Sequence, residues 1–462
     1  MPTFHIEQFG CRATQADGAA LERQLLDRGC LTAKDASSAD IIVINTCTVT
    51  AAADAQARDA IRKFHYSSPS TKLIVTGCYA QRAPEELSQL PGVSWVVGNS
   101  HKPQIPHLID SFNCPPASPS NYLPLSILQP IPADADLHSK RILIGDILER
   151  DTFLAAPVLG GEGNHTRPTL KIQDGCNSRC SYCVIPSVRG KSRSLPPREV
   201  IREINQLSAS GYREIVLSGI NLGSYGRDLS PRVELLDLLS LFLRETSIER
   251  LRLSSLEPQG VTQDLMDLFA SSDRLARHFH IPLQSGSDRI LAAMRRWYRA
   301  EHYARRVELI AKKIPAAALG ADVITGFPGE SEEDHAATLA LIEHLPFTYL
   351  HVFAYSERPG TAAAPLANKV PLDVIKSRAR ELRALSEKKS SVFRKSQLGH
   401  ILRVLTLRSD EHESSHTTPA LSSNYVKFRV RGAHARNQWL EVRATKEEGN
   451  YLLAEVASAS PL

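Results

Sequence analysis

The sequence has no long hydrophobic run. No stretch approaches the roughly 18 uncharged apolar residues that a membrane-spanning helix needs. The first residues, MPTFHIE, lack the basic segment and apolar run of a secretory signal. We therefore expect a cytoplasmic protein without a membrane partner. Hydrophobic residues make up 42% of the 462, and a chain of this length is too long for one core, so two or three domains are expected.

A strong net charge is absent as well. The chain carries 55 basic and 50 acidic residues, a formal net charge of +5, which indicates no partner by itself. Basic residues are concentrated between positions 373 and 395, where eight Lys and Arg face three acidic residues. Such a stripe is either a solvated helix face or a contact surface for nucleic acid, and composition leaves both open.

Disulfides are not expected, because the cytoplasm is reducing and eight cysteines in a chain of this length therefore favour metal or redox chemistry. Six of the eight form two groups of three, whereas Cys30 and Cys114 are assigned to neither. The two groups are Cys11, Cys47 and Cys78, and Cys176, Cys180 and Cys183.

The first hundred residues alternate apolar strand patterns with helical patterns, which predicts an open parallel α/β sheet. Cys11 follows the first strand, Cys47 ends the second and Cys78 ends the third. Loops at the carboxyl ends of parallel strands share one edge of the sheet, so these thiols can converge. The alternative is that they are ordinary buried thiols.

Three further segments complete the organisation. Residues 108–165 are rich in Pro and Ser and are interpreted as a connector between domains. Six strand–helix units follow in residues 166–396, too few for a closed eight-stranded barrel, so we expect a partial (β/α)6 barrel. Short strand patterns in residues 397–462 predict a small β-barrel. The parallel sheet then occupies residues 1–107.

The second cysteine group has the spacing C-x3-C-x2-C directly after a predicted strand. Three thiolates on a cubane cluster leave one iron open, and the amino and carboxylate groups of S-adenosylmethionine (SAM) can bind that iron. Structural zinc, the main alternative, normally takes four ligands in two separated pairs. We therefore expect Cys176, Cys180 and Cys183 to hold a [4Fe–4S] cluster that acts in catalysis.

The segment from Cys176 to Cys183, including the aromatic Tyr182, closely resembles the radical SAM superfamily. The order of the three domains further resembles the methylthiotransferase family over nearly the whole chain. This resemblance implies a second [4Fe–4S] cluster on Cys11, Cys47 and Cys78, and a C-terminal RNA-binding domain called TRAM. It is incomplete after Cys11, where the family commonly has an Asn and this chain reads Cys11-Arg-Ala-Thr-Gln15.

Three strings most resemble the branch that modifies N6-threonylcarbamoyladenosine beside the anticodon of tRNA: QDGCN at 173–177, SGINLGSYG at 218–226 and HIPLQSGS at 280–287. The resemblance implies that one set of residues lines the SAM and substrate pocket. The set comprises Tyr182, Gly219, Glu257, Gln284 and Asp322. Apart from Tyr182, these residues lie at the carboxyl ends of predicted barrel strands, the end that faces the active site in such folds.

The resulting hypothesis is a tRNA methylthiotransferase that replaces an adenine C2–H with a methylthio group. Because that bond has no useful acidity, a radical from SAM is required, with an electron donor of the flavodoxin or ferredoxin type and an unidentified sulfur source. Alternatives are the same reaction on N6-isopentenyladenosine or on a ribosomal protein, and a non-catalytic RNA-binding protein with structural metal. Basic and aromatic residues interleave at 295–299 and 424–431, which favours RNA contact.

Overall fold

The computed structural model describes residues 1–112, 141–150, 153–154, 156–158, 166–409 and 416–457. The chain divides into two compact units. The first comprises Met1–Ala156, Gly175–Asn177 and Val184–Lys191, and the second comprises Pro157–Asp174, Ser178–Cys183 and Ser192–Leu462. Cys114 and most of the predicted connector lie outside the described residues. Within the described ranges, no helix is long and apolar enough to cross a membrane.

The first unit contains a six-stranded parallel sheet in the order β2-β1-β3-β4-β5-β6. Its strands are β1 (Thr3–Gln8), β2 (Leu31–Thr32), β3 (Ile41–Thr46), β4 (Lys72–Gly77), β5 (Val93–Gly98) and β6 (Ile142–Leu143). Its helices are α1 (Arg12–Asp27), α2 (Ala51–Ser67), α3 (Cys78–Arg82), α4 (Pro84–Ser88), α5 (Ile105–Phe112) and α6 (Ile185–Arg189). The predicted open parallel α/β sheet is confirmed.

Strand β3 shows why this sheet is covered on both faces. All six of its residues are buried. Ile42 and Ile44 pack in one apolar cluster with Ile61 of α2, whereas Ile41 and Val43 pack in another that includes α1. A strand that is buried on both faces has a continuous apolar run in its sequence. Because the strands are parallel, their carboxyl ends all lie at the same edge of the sheet.

The second unit begins with six parallel strands in two sheets, of which one has the order β10-β9-β7-β8 and the other β11-β12-β13. The strands are β7 (Thr169–Asp174), the short antiparallel β8 (Arg193–Ser194), β9 (Glu214–Gly219), β10 (Arg250–Leu253), β11 (His278–His280), β12 (Ala318–Thr325) and β13 (Tyr349–Ala354). The helices are α7 (Pro197–Ala209), α8 (Leu235–Glu245), α9 (Gln263–Ser271), α10 (Asp288–Ala293), α11 (Ala300–Lys313), α12 (Glu332–His344) and α13 (Leu372–Lys395). This is the expected partial (β/α)6 barrel.

A closed five-stranded β-barrel ends the described chain, in the order β14-β15-β16-β18-β17. Its strands are β14 (Ile401–Thr406), β15 (Thr417–Ser422), β16 (Lys427–Arg431), β17 (Trp439–Glu448) and β18 (Tyr451–Val456). Val404, Phe428, Val442 and Leu452 fill its interior. Closure pairs β14 with β17 and removes free strand edges. The barrel agrees with the predicted C-terminal β module.

Two buried arginines of β10 connect the closed barrel to the partial barrel. Arg252 donates to the backbone carbonyls of Ser422 and Ser423 at 3.0 Å each, and its Nε donates to Glu214 Oε1 at 2.8 Å. Arg250 pairs with the same carboxylate at 3.4 Å. Burial opposes ionisation of Glu214, but the neighbouring arginines outweigh it and hold the pKa of this carboxyl at about 2.

Replacing the carboxylate tests this connection. Glu214→Gln would leave Arg250 and Arg252 buried without their negative partner, which costs about 3–5 kcal/mol of stability. Because the pKa of Glu214 is lowered, its contribution is present above pH 4.5 and is lost as pH falls towards about 2, so the difference between the two proteins should shrink over that range. Urea unfolding at several pH values measures both effects.

The control is Glu249→Gln, because Glu249 forms half-exposed ion pairs with Arg213 and Arg403. Its loss should cost under about 1 kcal/mol. Equal destabilisation by the two substitutions would contradict the role given to Glu214.

Candidate functional site

Cys11, Cys47 and Cys78 lie at three strand ends of the first unit. Cys11 precedes α1, Cys47 follows β3 and Cys78 begins α3 directly after β4. Cys11 is exposed, whereas Cys47 and Cys78 are buried. Gly10 has a φ of +106°, and a Cβ on it would lie 2.3 Å from the Cβ of Cys47. The absence of a side chain at position 10 therefore allows the segment before Cys11 to approach Cys47.

Burial and the neighbouring thiols favour the protonated form of Cys47 and Cys78. Burial raises the pKa of Cys47 to about 12, with Cys78 and Cys11 adding to the effect and Arg189 opposing it. Burial also raises the pKa of Cys78. Metal ions bind the thiolate form of cysteine and displace its proton. This group of three thiols therefore suits a metal centre that takes three thiolate ligands.

Two buried cations stand beside the thiols. Lys102 Nζ and Arg189 Nη2 each lie 3.1 Å from Oδ2 of Asp17, and all three side chains are at most 2% exposed. Both cations act to lower the pKa of Cys78, which means that they stabilise its thiolate. An anionic cluster on three thiolates would receive the same stabilisation. The donor set and its charge environment therefore fit a [4Fe–4S] cluster.

Sequence reasoning missed the polar residues around the thiols. Asn99 is fully buried, and its side-chain nitrogen lies 3.5 Å from Cys78 Sγ. Because Asn99 directly follows β5, the strand-end rule could have identified it. Thr14 Oγ1 also lies 3.6 Å from Cys11 Sγ. Lys102 and Arg189 follow no pattern that distinguishes them from surface residues.

The second cysteine group occupies the loop after β7, and all three of its thiols are partly exposed. Arg296 Nη1 donates to Cys180 Sγ at 3.3 Å, and Arg296 also forms an ion pair with Glu257. Burial opposes the charge of Arg296, but the Glu257 carboxylate outweighs it and raises the pKa of the guanidinium. A permanent cation therefore lies beside Cys180, which fits a thiolate-bound anionic cluster.

The predicted pocket residues lie at or near strand ends in the second unit. Gly219 ends β9, where a Cβ would lie 2.9 Å from Leu222 Cδ2. Glu257 follows β10, and Gln284 follows β11 with a φ of +70°. The Gln284 amide donates to the carbonyl of Asp322 at 2.8 Å, which joins β12 to this loop. The partly buried Tyr182 packs against the cluster that contains Phe327.

Asp322 lies within β12, three residues before the strand ends. Its Oδ1 is 2.9 Å from His280 Nε2 and 3.3 Å from His351 Nδ1. Burial would raise the pKa of Asp322, but the two histidines outweigh it and lower that pKa well below its usual value. The carboxylate is therefore ionised and shared between two rings.

Part of the predicted RNA surface is wrong. The side chain of Arg296 is only 5% exposed and lies beside Cys180, and the buried Tyr298 donates to the carbonyl of Leu283 at 2.8 Å. Arg295, Trp297 and Arg299 are exposed as a contact surface requires. Arg296 and Tyr298 were misread because a short basic and aromatic run looks the same in the sequence whether it faces solvent or fills a core.

The other two basic segments, residues 424–431 and α13, also contain both buried and exposed side chains. In residues 424–431, Tyr425 stacks on His278 with 4.1 Å between ring centroids, and Phe428 fills the barrel core, so neither is free for a base. Lys427 and Arg431 are exposed. In α13, Arg378 and Arg394 are buried in ion pairs, whereas the remaining basic residues face solvent to different degrees.

Comparison with known families agrees with this architecture. Residues 3–98 match the uncharacterized protein family UPF0004, and residues 170–342 match the radical SAM superfamily. The fold is similar to that of the radical SAM methyltransferase TsrM from Kitasatospora setae, solved with cobalamin and a [4Fe–4S] cluster. The TM-score is 0.56 at 16% identity, covering 78% of this chain and 76% of that one. Fold and cysteine motif together define a radical SAM enzyme.

Similar sequences identify the kind of radical SAM enzyme more narrowly. The threonylcarbamoyladenosine tRNA methylthiotransferases MtaB of Aquifex aeolicus and Bacillus subtilis are 35% and 34% identical, covering 92% and 94% of this chain and 96% and 91% of theirs. A tRNA-2-methylthio-N(6)-dimethylallyladenosine synthase of Syntrophobacter fumaroxidans is 35% identical, covering 82% of this chain and 79% of that one. The chain belongs to the radical SAM methylthiotransferase family and is MtaB-like. Enzymes of this family use SAM and [4Fe–4S] clusters.

Alkylation of the metal-free protein tests the thiol environment. At about pH 8, iodoacetamide should label the exposed Cys11 well before Cys47, because Cys47 is 5% exposed and its pKa is about 12. Mass spectrometry of peptides over time measures each rate. In urea the two residues should react alike. Equal labelling of Cys47 and Cys11 in the native protein would contradict the described burial.

Proposed function

We propose that this enzyme is a tRNA methylthiotransferase that adds a methylthio group at C2 of N6-threonylcarbamoyladenosine beside the anticodon. The observation that carries the proposal is the presence of two separate cysteine triads, each beside a buried cation. One triad suffices for SAM cleavage. A second triad supports an additional task, and sulfur insertion is the task that the similar MtaB proteins suggest.

We assign Cys176, Cys180 and Cys183 to the cluster that cleaves SAM. When bound, a reduced [4Fe–4S] cluster supplies the electron for this cleavage, and the resulting radical chemistry acts on a C–H bond that no base can deprotonate. Arg296 acts on this site through its donation to Cys180 Sγ at 3.3 Å. Its ion pair with Glu257 ties the guanidinium to the loop after β10. Arg296 therefore orients the thiolate and balances its charge.

We assign Cys11, Cys47 and Cys78 to a second [4Fe–4S] cluster, which supplies or carries sulfur. Lys102 and Arg189 are supporting residues in this assignment, because they favour the thiolate form of Cys78 from fully buried positions. In an apolar interior, compensation of this kind determines whether an anionic group is retained.

The remaining assignments follow from the resemblance to the methylthiotransferase family. Tyr182, Gly219, Glu257, Gln284 and Asp322 line the pocket for SAM and the target nucleoside. Residues 1–107 form the domain that carries the second cluster, and residues 166–396 form the radical SAM domain. Residues 108–165 are the connector between these two domains. Residues 397–462 form a TRAM-like module that contacts tRNA, supported by exposed Lys427 and Arg431 on β16. The electron donor is of the flavodoxin or ferredoxin type, and the sulfur source remains unassigned.

The substrate is tested on tRNA from cells with and without the gene. Mass spectrometry of nucleosides should show loss of the methylthio form of N6-threonylcarbamoyladenosine and accumulation of the unmodified nucleoside. Return of the modified nucleoside on expression of the protein is the matched control. Loss of the dimethylallyl nucleoside's methylthio form instead would assign the enzyme to the reaction named for the Syntrophobacter protein.

Single cysteine variants test the separate roles assigned to the two cysteine triads. After anaerobic reconstitution, the wild-type protein should bind about eight irons, and Cys180→Ala and Cys47→Ala about four each. Cys180→Ala should lose SAM cleavage, whereas Cys47→Ala should cleave SAM but insert no sulfur. Iron analysis and detection of 5′-deoxyadenosine measure these outcomes.

Cys30→Ala is the control, because Cys30 is a buried core residue that belongs to neither triad. It should keep the iron content of the wild-type protein. Methylthiolation by Cys47→Ala would contradict the assignment of the second cluster.

A further inference from the structure

Three side chains of types that can bind a metal ion converge on the three-stranded sheet β11-β12-β13 of the second unit. His280 is paired with Gly320 in the register of β11 and β12, and Asp322 is paired with His351 in that of β12 and β13. The potential ligand atoms of His280, Asp322 and His351 all lie within 4.8 Å of one another. None of them belongs to either cysteine triad, but Asp322 is one of the residues assigned above to the pocket for SAM and the nucleoside.

We propose that His280, Asp322 and His351 bind a divalent first-row transition-metal ion, in addition to the iron–sulfur clusters. Metal bonds to imidazole nitrogen and carboxylate oxygen measure about 2.0–2.2 Å, so neighbouring ligand atoms on one ion stand about 2.9–3.4 Å apart. The distances from Asp322 Oδ1 to His280 Nε2 and His351 Nδ1, 2.9 and 3.3 Å, fall in this range. Two imidazoles and one carboxylate are a common ligand set for zinc and iron(II).

A neighbouring tyrosine orients the inner ligand. Tyr349 Oη lies 3.0 Å from His280 Nδ1, on the opposite side of the ring from Asp322. A metal-binding histidine normally donates its second ring N–H to such a group, which fixes the tautomer and directs the other nitrogen towards the metal. Gly320 makes this contact possible, because a Cβ there would lie 2.0 Å from the Tyr349 ring.

The three ligands differ in accessibility. The side chain of His280 is 6% exposed and that of Asp322 is 25% exposed, whereas that of His351 is 57% exposed. The site is therefore anchored on its inner side and accessible from the side of His351. With three protein ligands, an ion here keeps at least one position for water or for an oxygen donor of a bound molecule.

The ligand chemistry separates this site from the clusters. Iron–sulfur clusters are bound preferentially by thiolate ligands. Imidazole and carboxylate ligands instead favour single divalent ions. With neutral rings the set carries one negative charge from Asp322, which compensates half the charge of a dication. Filling the cysteines with clusters first should therefore leave this set as the preferred position for zinc.

The test uses the full-length protein with both clusters assembled anaerobically. It is incubated with zinc chloride and desalted, and zinc and iron per chain are measured by elemental mass spectrometry. Wild-type protein should retain about one zinc per chain at unchanged iron content, as expected of a three-ligand site. Asp322→Asn and His351→Gln should lose this zinc, and Tyr349→Phe should weaken its binding by about tenfold or more.

The matched control is His344→Gln. His344 is an exposed histidine of α12 that lies 3.7 Å from Glu308, and among the described residues it belongs to no cluster of potential metal ligands. The variant should retain zinc like the wild type. Zinc X-ray absorption of the wild-type protein supplies a result that needs no variant: nitrogen and oxygen neighbours at about 2.0–2.2 Å support the site. Sulfur neighbours, absence of zinc, or retention of zinc by both Asp322→Asn and His351→Gln would overturn the proposal.

Discussion

In a parallel sheet every strand ends at the same edge, and the residues that follow the strands are therefore brought together whatever their separation in sequence. This constraint places Cys47 and Cys78 beside each other after β3 and β4, although thirty residues of chain separate them. It also places Gly219, Glu257 and Gln284 after successive strands of the second unit. The chemistry of both units depends on this arrangement, because none of these residues is positioned by its immediate neighbours.

Strand ends bring the thiols together, but buried charge decides what they can hold. An anionic cluster in an apolar environment is costly unless cations are already in place. Lys102 and Arg189 share Asp17 in the first unit, and Arg296 stands between Cys180 and Glu257 in the second. In each unit a carboxylate pairs with the cation and fixes its position beside the thiols.

Sequence periodicity predicted the layout of the fold, because strands buried on both faces, such as β3 and β4, produce continuous apolar runs. The role of the six cysteines as cluster ligands stays a prediction. Periodicity was insufficient for charged residues. Lys102 and Arg189 look like surface residues in the sequence, since burial of a cation depends on a partner such as Asp17 that is distant along the chain. The prediction that Arg296 and Tyr298 contact RNA was wrong for the same reason, because both side chains hydrogen-bond to partners that no local sequence pattern reveals.

The two kinds of donor set also differ in what supports them. Except for Cys78, which begins α3, the six thiols stand on loops, whose conformation can adapt as a cluster is assembled on them. His280, Asp322 and His351 stand within hydrogen-bonded strands, where the register between β12 and β13 fixes their separation. A site on strands cannot adapt in this way, so its geometry must be correct in advance, and the contact between Tyr349 and His280 supplies that precision. The position of a ligand set in the fold therefore distinguishes a site that is assembled with its metal from one that selects its metal by shape.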